Sequence, residues 1–361
     1  MDYQMYDNSH RENREQERNW NQNQGGWNGE PNGLSGGQNG AWYSGGYTDP
    51  DYENRIIKDT RRCFSRTGFV YLAFLAVSIL SQIGVGAILA ATGLDERLGY
   101  NGRLLVTMLS MYPLAVPLTG LLIRWVPARG KVGQERWGLG ALCGFFVVSM
   151  GVLYAGNMVG TVLMAIGGAI KGEPIINEMQ ELIMSMEPWT IILSAVIAAP
   201  IMEELVFRKF LLDRIAGFGH WTAMVVSGLV FGIAHGNFYQ FFYAFGLGMI
   251  FAYVYLHTGK IGYTIGFHMV INFWGSVLPL GLVWVLKKNA VIGAFLTIAN
   301  LMTMFGFIIC GVILLAVCWR DLSFQPADDG VSGGKKRRAV WFNFGMILFF
   351  IWGAYLFYTS L

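Results

Sequence analysis

The chain has 361 residues, of which 54% are hydrophobic, 15% aromatic and only 14% charged, with a mean hydropathy of +0.43. A soluble domain carries roughly 25% charged residues, so this composition excludes one and points to a membrane protein. The net charge of +3 is small, and the basic residues sit at the edges of apolar stretches, which marks topology and excludes a nucleic-acid-binding surface.

In chain order, residues 1–60 are rich in Asn, Gln, Gly and Tyr, with little aliphatic content. Such a segment cannot bury enough apolar surface to offset its ordering entropy, and it is expected to be a disordered tail. No apolar run follows the start, so a cleaved signal peptide is not expected. From Thr67 onward, apolar runs near the ~20 residues of a membrane crossing recur between short polar breaks. The runs fall at about 67–94, 103–125, 138–170, 190–215, 219–236, 238–257, 260–283, 291–318 and 340–360. The fold expected is all-α, a polytopic transmembrane helix bundle of about eight or nine spans. Its parts are a tail (1–60), a transmembrane domain (61–319) whose motif core is 188–275, a basic cytoplasmic loop (320–339) and a carboxy-terminal transmembrane helix (340–361).

Orientation follows from Lys and Arg, which cytoplasmic loops retain. Arg55, Lys58, Arg61, Arg62 and Arg66 precede the first span, Arg124, Arg129, Lys131 and Arg136 follow the second, and Lys335-Lys-Arg-Arg338 precedes the last. Alternating crossings place all three sets on one side, with the amino terminus in the cytoplasm. Lys287 and Lys288 are the exception. The last run is a juxtamembrane polybasic cluster suited to anionic lipid. In the acidic stretch 171–188, Ile175, Met179, Leu182, Ile183 and Met186 share a helical face, which predicts an amphipathic helix at the membrane surface. Cys63, Cys143, Cys310 and Cys318 have no paired spacing and read as free thiols. Gly228/Gly232 and Gly156/Gly160 predict close helix packing. Tyr239, Phe241, Phe242 and Tyr243 read as an interfacial aromatic belt, and Lys209, Asp213 and Arg214 as solvated charges.

The chemistry concentrates in Ala198-Ala-Pro-Ile-Met-Glu203-Glu204-Leu-Val-Phe-Arg208. Carboxylates at membrane depth are costly and mark function by default. Successive helical residues point about 100° apart, so the two glutamates cannot serve one site in the same way. Glu204 and Arg208 stand at i,i+4, where a carboxylate and a guanidinium meet. Glu203 is left without a local counter-charge, the state that suits a general base. Pro200 lacks the amide that would bond to Val196, which predicts a distorted helix beside Glu203. A salt-bridge network that only fixes packing is the alternative reading.

Two further polar sets weigh against that alternative. Phe231-Gly-Ile-Ala-His235 carries one histidine, and His268-Met-Val-Ile-Asn272 places a second histidine and an asparagine on one helix face. A carboxylate and a neutral imidazole can orient a water between them. His268 and Asn272 could donate to the oxygen that becomes negative in peptide hydrolysis. No Ser or Cys stands in a nucleophile arrangement with these histidines, which argues for attack by water.

Glu203-Glu204-x-x-x-Arg208, Phe231-x-x-x-His235 and His268-x-x-x-Asn272, in this order on separate spans, resemble the CPBP family of intramembrane glutamic endopeptidases, which holds the type II CAAX prenyl proteases and bacteriocin-processing or Abi proteins. The resemblance covers about residues 188–275. It implies that Glu203 and His235 activate water, that His268 and Asn272 stabilise the oxyanion, and that Glu204, Arg208 and Phe231 support the site. It also implies a membrane-associated peptide or protein substrate, lipidated or not, in a bacterial plasma membrane.

Two His and a Glu would also make a zinc site conceivable. There is no His-Glu-x-x-His, however, and ligation by Glu203 would remove the base, so no cofactor is expected, with zinc as the alternative. A non-catalytic scaffold or regulator of the same fold and a proton-coupled transporter are the competing functions. The transporter would show paired broken helices, and no second copy of the glutamate motif exists.

Overall fold

The computed structural model describes residues 50–361. Most of the tail expected from composition lies outside the described residues. Its expected boundary at residue 60 moves, because helix α1 (Pro50–Thr92) begins ten residues earlier, with Asp51 and Glu53 in its first turn, where the helix dipole favours acidic side chains.

All regular elements among the described residues are helical. After α1 come α2 (Leu94–Trp125), α3 (Leu139–Lys171), a short surface helix α4 (Glu178–Ser185), α5 (Pro188–Phe218), α6 (His220–Ala234), α7 (Phe238–Thr258), α8 (Ile261–Lys288), α9 (Ala290–Cys318), α10 (Gly334–Trp341) and α11 (Phe344–Thr359). Among the described residues, seven helices are long and apolar enough to cross a membrane, or eight when the bent pair α10 and α11, at 56°, is taken as one passage. The chain is an integral membrane protein. The difference from nine lies mainly in the stretch 219–236, which forms the 15-residue α6, too short for a ~20-residue crossing.

Local chemistry sets the helix ends. Asn177, Asn237, Asn289 and Asn343 each accept a hydrogen bond from the backbone N–H three residues on, at the starts of α4, α7, α9 and α11. On α4, Leu182 and Ile183 pack against Met186, Ile191 and Val196, as the amphipathic pattern predicts, but Met179 of the same predicted face stays exposed, as does Met184.

The hairpin of α5 and α6 places the glutamates. It turns at Gly219, whose φ of 93° suits only a residue without Cβ. Across the hairpin, Phe207 meets Phe231 with ring centroids 5.2 Å apart. Glu203 and His235 each stand sixteen positions from Gly219, about 24 Å along a helix. Glycines then bring the neighbours close. A Cβ on Gly248 of α7 would lie 2.7 Å from Gly228 Cα on α6, and Cβ atoms on Gly156 and Gly160 of α3 would lie 2.5 Å from Tyr243 N and Phe238 O on α7. In lipid, such backbone approach is what holds helices together. The buried cluster beneath includes Phe64, Tyr71, Phe74, Phe207 and Phe231.

At the basic end of the bundle, the segment 320–339 is less of a loop than composition suggests. It contains α10, and Lys336 of the polybasic run is buried, paired with Asp329 and donating to Val331 O. Lys335, Arg337 and Arg338 stay exposed. The charges after the glutamates are also used rather than only solvated. Asp213 pairs with Lys209 and accepts from Tyr255 Oη at 2.8 Å, and Arg214 donates to Val126 O.

Candidate active site

The helix carrying the glutamates is wide on both sides of them. Its backbone is π-helical over Ile192–Ala198 and Leu205–Phe210, with a single α turn, Ala199–Glu204, between. Pro200 supplies the reason for the first, because its ring and missing N–H disfavour the ordinary i→i−4 pattern. The distortion expected at the proline is therefore a widening, of the kind that often marks functional sites. The second wide turn has an external partner, Tyr71 Oη donating to Val206 O at 2.7 Å.

This turn separates the two carboxylates. Glu204 is fully buried, and its Oε2 lies 3.2 Å from Arg208 Nε, the i,i+4 pair expected from spacing. Arg208 is fully buried as well, and its guanidinium lies 4.2 Å over the Phe231 ring and 5.3 Å from Phe251. Its nitrogens make no well-aligned hydrogen bond among the described residues, so one carboxylate and two aromatic faces carry the charge. Glu203 keeps 22% of its side chain exposed.

From α8, His268 reaches both glutamates. Its Nδ1 stands 3.0 Å from Glu204 Oε1 and its Nε2 3.7 Å from Glu203 Oε2. The first is a hydrogen bond; the second is beyond one. An ionised carboxylate only accepts, so Nδ1 carries a proton, and Nε2 can donate only when the ring holds a second. Asn272, one turn on, donates Nδ2 to Ala195 O at 2.8 Å, which ties α8 to the first wide turn of α5 and leaves one amide hydrogen. A third π-helical stretch, Phe273–Val277, follows at once.

His235 enters from the end of α6. Its Nδ1 lies 2.9 Å from Phe231 O, an acceptor, so Nδ1 donates and the Nε2 lone pair is left for the site. It lies within the field of both Glu203 and His268. Phe231 organises this side, meeting His235 and His268 edge-on at ring distances of 4.8 and 5.8 Å while its face carries Arg208.

Sequence reasoning missed several neighbours. Thr264, buried one turn before His268, lies against Glu204; its i,i+4 spacing to His268 was the available signal. Tyr112 of α2 lies within the field of Glu203, and no motif announces it. The supposed aromatic belt faces inward. Tyr239 Oη donates to Ile175 O, Phe241 packs on Phe357, and Tyr243 stands edge-on to His235 with ring centroids 6.5 Å apart. Among the described residues, no group of three or more His, Cys, Asp or Glu side chains is arranged to hold a metal ion.

These features define a class, a polytopic helical membrane protein with two carboxylates and two imidazoles gathered inside its bundle. Residues 185–274, which contain all seven of the motif residues, match the family described as type II CAAX prenyl endopeptidase Rce1-like. Over 166 residues the chain is 24% identical to the putative membrane peptidase YdiL of Bacillus subtilis (strain 168), covering 44% of this chain and 66% of that protein. Over 149 residues it is 31% identical to the membrane-embedded CAAX protease MroQ of Staphylococcus aureus (strain USA300), covering 39% of this chain and 57% of that one. The chain thus spans less than two thirds of the length of each curated relative. No solved structure matches it.

Proposed function

We propose that this protein is an intramembrane endopeptidase that hydrolyses a peptide bond of a membrane-associated peptide or protein with an activated water. The observation that carries this reading is the unequal treatment of the two glutamates. Glu204 is consumed by Arg208 and His268, whereas Glu203 is partly exposed, without a cationic partner of its own, beside the free Nε2 of His235.

A water between Glu203 and His235 donates one hydrogen to the carboxylate and the other to Nε2, which turns its lone pair toward a substrate carbonyl. As its oxygen bonds to the carbonyl carbon, its proton passes to Glu203 and the carbonyl electron pair moves onto oxygen. The remaining amide hydrogen of Asn272 and, whenever its ring carries a second proton, Nε2–H of His268 stabilise that oxyanion. On collapse the C–N bond breaks, and Glu203 returns the proton to the leaving nitrogen.

This route requires no metal. A zinc mechanism would take Glu203 as a ligand and lose it as the base. The family description and the name of MroQ suggest a substrate bearing a carboxy-terminal tail, lipid-modified or not. The amino terminus faces the cytoplasm of a bacterial cell, with Lys335, Arg337 and Arg338 toward anionic lipid. The test compares the membrane peptidomes of cells carrying wild-type protein and Glu203→Gln. Peptides that accumulate uncut in the variant support the reading, and identical peptidomes reject it in favour of a non-catalytic scaffold.

A further inference from the structure

The site as described is short of hydrogen-bond donors. A tetrahedral oxyanion is ordinarily met by more than one donor, and each contributes heavily in a water-poor site. Here His268 commits Nδ1–H to Glu204, and Asn272 commits one of its two amide hydrogens to Ala195 O. The Arg208 guanidinium is buried behind Phe231 and Glu204. On the His235 side, none of the seven motif residues presents a donor, since His235 Nδ1–H is spent on Phe231 O.

Tyr243 fills that side. Three constraints fix it. Its backbone is packed against α3 at Gly156, where even a Cβ would collide with Tyr243 N. Its ring stands edge-on to His235 at 6.5 Å. Its Oη accepts a hydrogen bond from Gln240 Nε2 at 2.9 Å. That last bond has a direction, because an amide nitrogen only donates. Gln240 is in turn held with Nε2 toward Tyr243 by Asn237 Nδ2, which donates to Gln240 Oε1 at 2.8 Å and also to His235 O at 2.9 Å. The phenol therefore receives at its oxygen, and its own proton has no partner in this chain of bonds. Tyr243 also lies within the field of Glu203. Tyr112, the other phenol near Glu203, has no comparable bond among the described residues to orient its hydroxyl.

From this geometry we infer that Tyr243 is a further catalytic residue, a phenolic donor to the substrate carbonyl oxygen on the side of the site opposite His268 and Asn272, with Gln240 and Asn237 as the residues that aim it. The hydrogen bond strengthens as the carbonyl becomes an oxyanion; no proton changes owner, and Glu203 remains the base. Asn237 joins the backbone carbonyl of His235 to this relay, so the water-holding imidazole and the donor phenol are set by one capping residue at the start of α7.

The inference rests on the peptidase reading, and the experiment separates the two. Cells carrying wild type, Glu203→Gln, Tyr243→Phe, Gln240→Leu and the Tyr243→Phe/Gln240→Leu double variant are compared by the rate at which cleaved membrane peptides appear. A synthetic peptide spanning a cut bond found in wild-type cells then gives kcat and KM for the purified full chains. Tyr243→Phe keeps the ring and its packing, and is expected to lower kcat by about 100-fold, the loss typical of one oxyanion donor, with KM changed less than about threefold. Gln240→Leu is expected to lower kcat less, and the double variant no further than Tyr243→Phe alone, because the two act through one bond. Unchanged thermal unfolding of the detergent-solubilised Tyr243→Phe protein separates this loss from misfolding. A wild-type kcat in Tyr243→Phe while Glu203→Gln is inactive overturns the role of Tyr243 and leaves the peptidase reading standing. Multiplicative losses in the double variant overturn the aiming role of Gln240. No difference between wild type and Glu203→Gln overturns both.

Discussion

His268 Nδ1 stands 3.0 Å from Glu204 Oε1, so the glutamate that spacing pairs with Arg208 also orients the histidine of a distant helix. One carboxylate thereby neutralises a buried cation and sets which nitrogen of His268 faces Glu203. Its neighbour one residue earlier is spared both tasks. The division predicts opposite outcomes for changes at the two positions.

Glu203→Gln should abolish cleavage and leave folding intact, because its carboxylate holds no buried cation. Glu204→Ala should destabilise the protein by about 3–5 kcal/mol, the usual consequence of stranding one member of a buried ion pair. Thermal unfolding in detergent distinguishes them. Equal unfolding temperatures for the two variants would contradict the assignment.

Arg208→Lys should behave as a damaging change despite keeping the charge. An ammonium cannot stack as a plane on Phe231 and Phe251. Phe231→Leu removes the same face, and also the edge contacts to His235 and His268. Each should cost on the order of 2 kcal/mol, the scale of a desolvated cation–π contact, read by unfolding. The double variant should lose less than the sum of the two.

The proposed mechanism uses Glu203 as base and not as ligand, so exhaustive dialysis against EDTA should leave peptide cleavage unaltered. Loss of cleavage restored by added zinc would replace the proposed mechanism with a metal-dependent one.

Gly156→Val should separate α3 from α7. A Cβ there meets the Tyr243 backbone at 2.5 Å, and overpacking of this kind costs roughly 1–3 kcal/mol. Gly262→Val, at a position where an added Cβ meets nothing within 4 Å, should be close to neutral. Expression level and unfolding temperature measured side by side give the comparison.

At the basic end, hydrogen bonds from Trp137 Nε1 and His257 hold the Glu135 carboxyl below the usual carboxylate range. A depressed pKa stabilises the fold above the unfolded-state value, and that contribution fades as pH falls through the folded one. Glu135→Gln should therefore be less stable than wild type at neutral pH, and the gap should close in acid. Because half of the Glu135 side chain is exposed, the gap should be small. An unfolding series from pH 7 downward tests the sign.

Much of this was legible without coordinates. Apolar runs longer than a soluble core helix reveal membrane spans, and i,i+4 spacing reveals Glu204 with Arg208 and His268 with Asn272, because both patterns are local properties of a helix. Three results came out otherwise. The stretch 219–236 became a short helix, since its glycines serve contact with α7 and not a full crossing. The residues 50–60 joined α1, although their polarity matches the tail. Tyr243 turned inward, a direction that composition cannot express.

The sequence by itself determined the class of protein and singled out the candidates for its reactive side chains. The polar groups are few, and each is too costly in an apolar helix to be incidental. Only the tertiary structure decided their pairing. The turn at Gly219 matches Glu203 with His235 in depth, the packing of α8 on α5 gives His268 to Glu204, and Gly156 lets α7 approach α3 closely enough to set Tyr243 beside His235. Those contacts depend on where separate helices cross. A one-dimensional period carries the face of a helix, but not the depth or the neighbour that the face will meet.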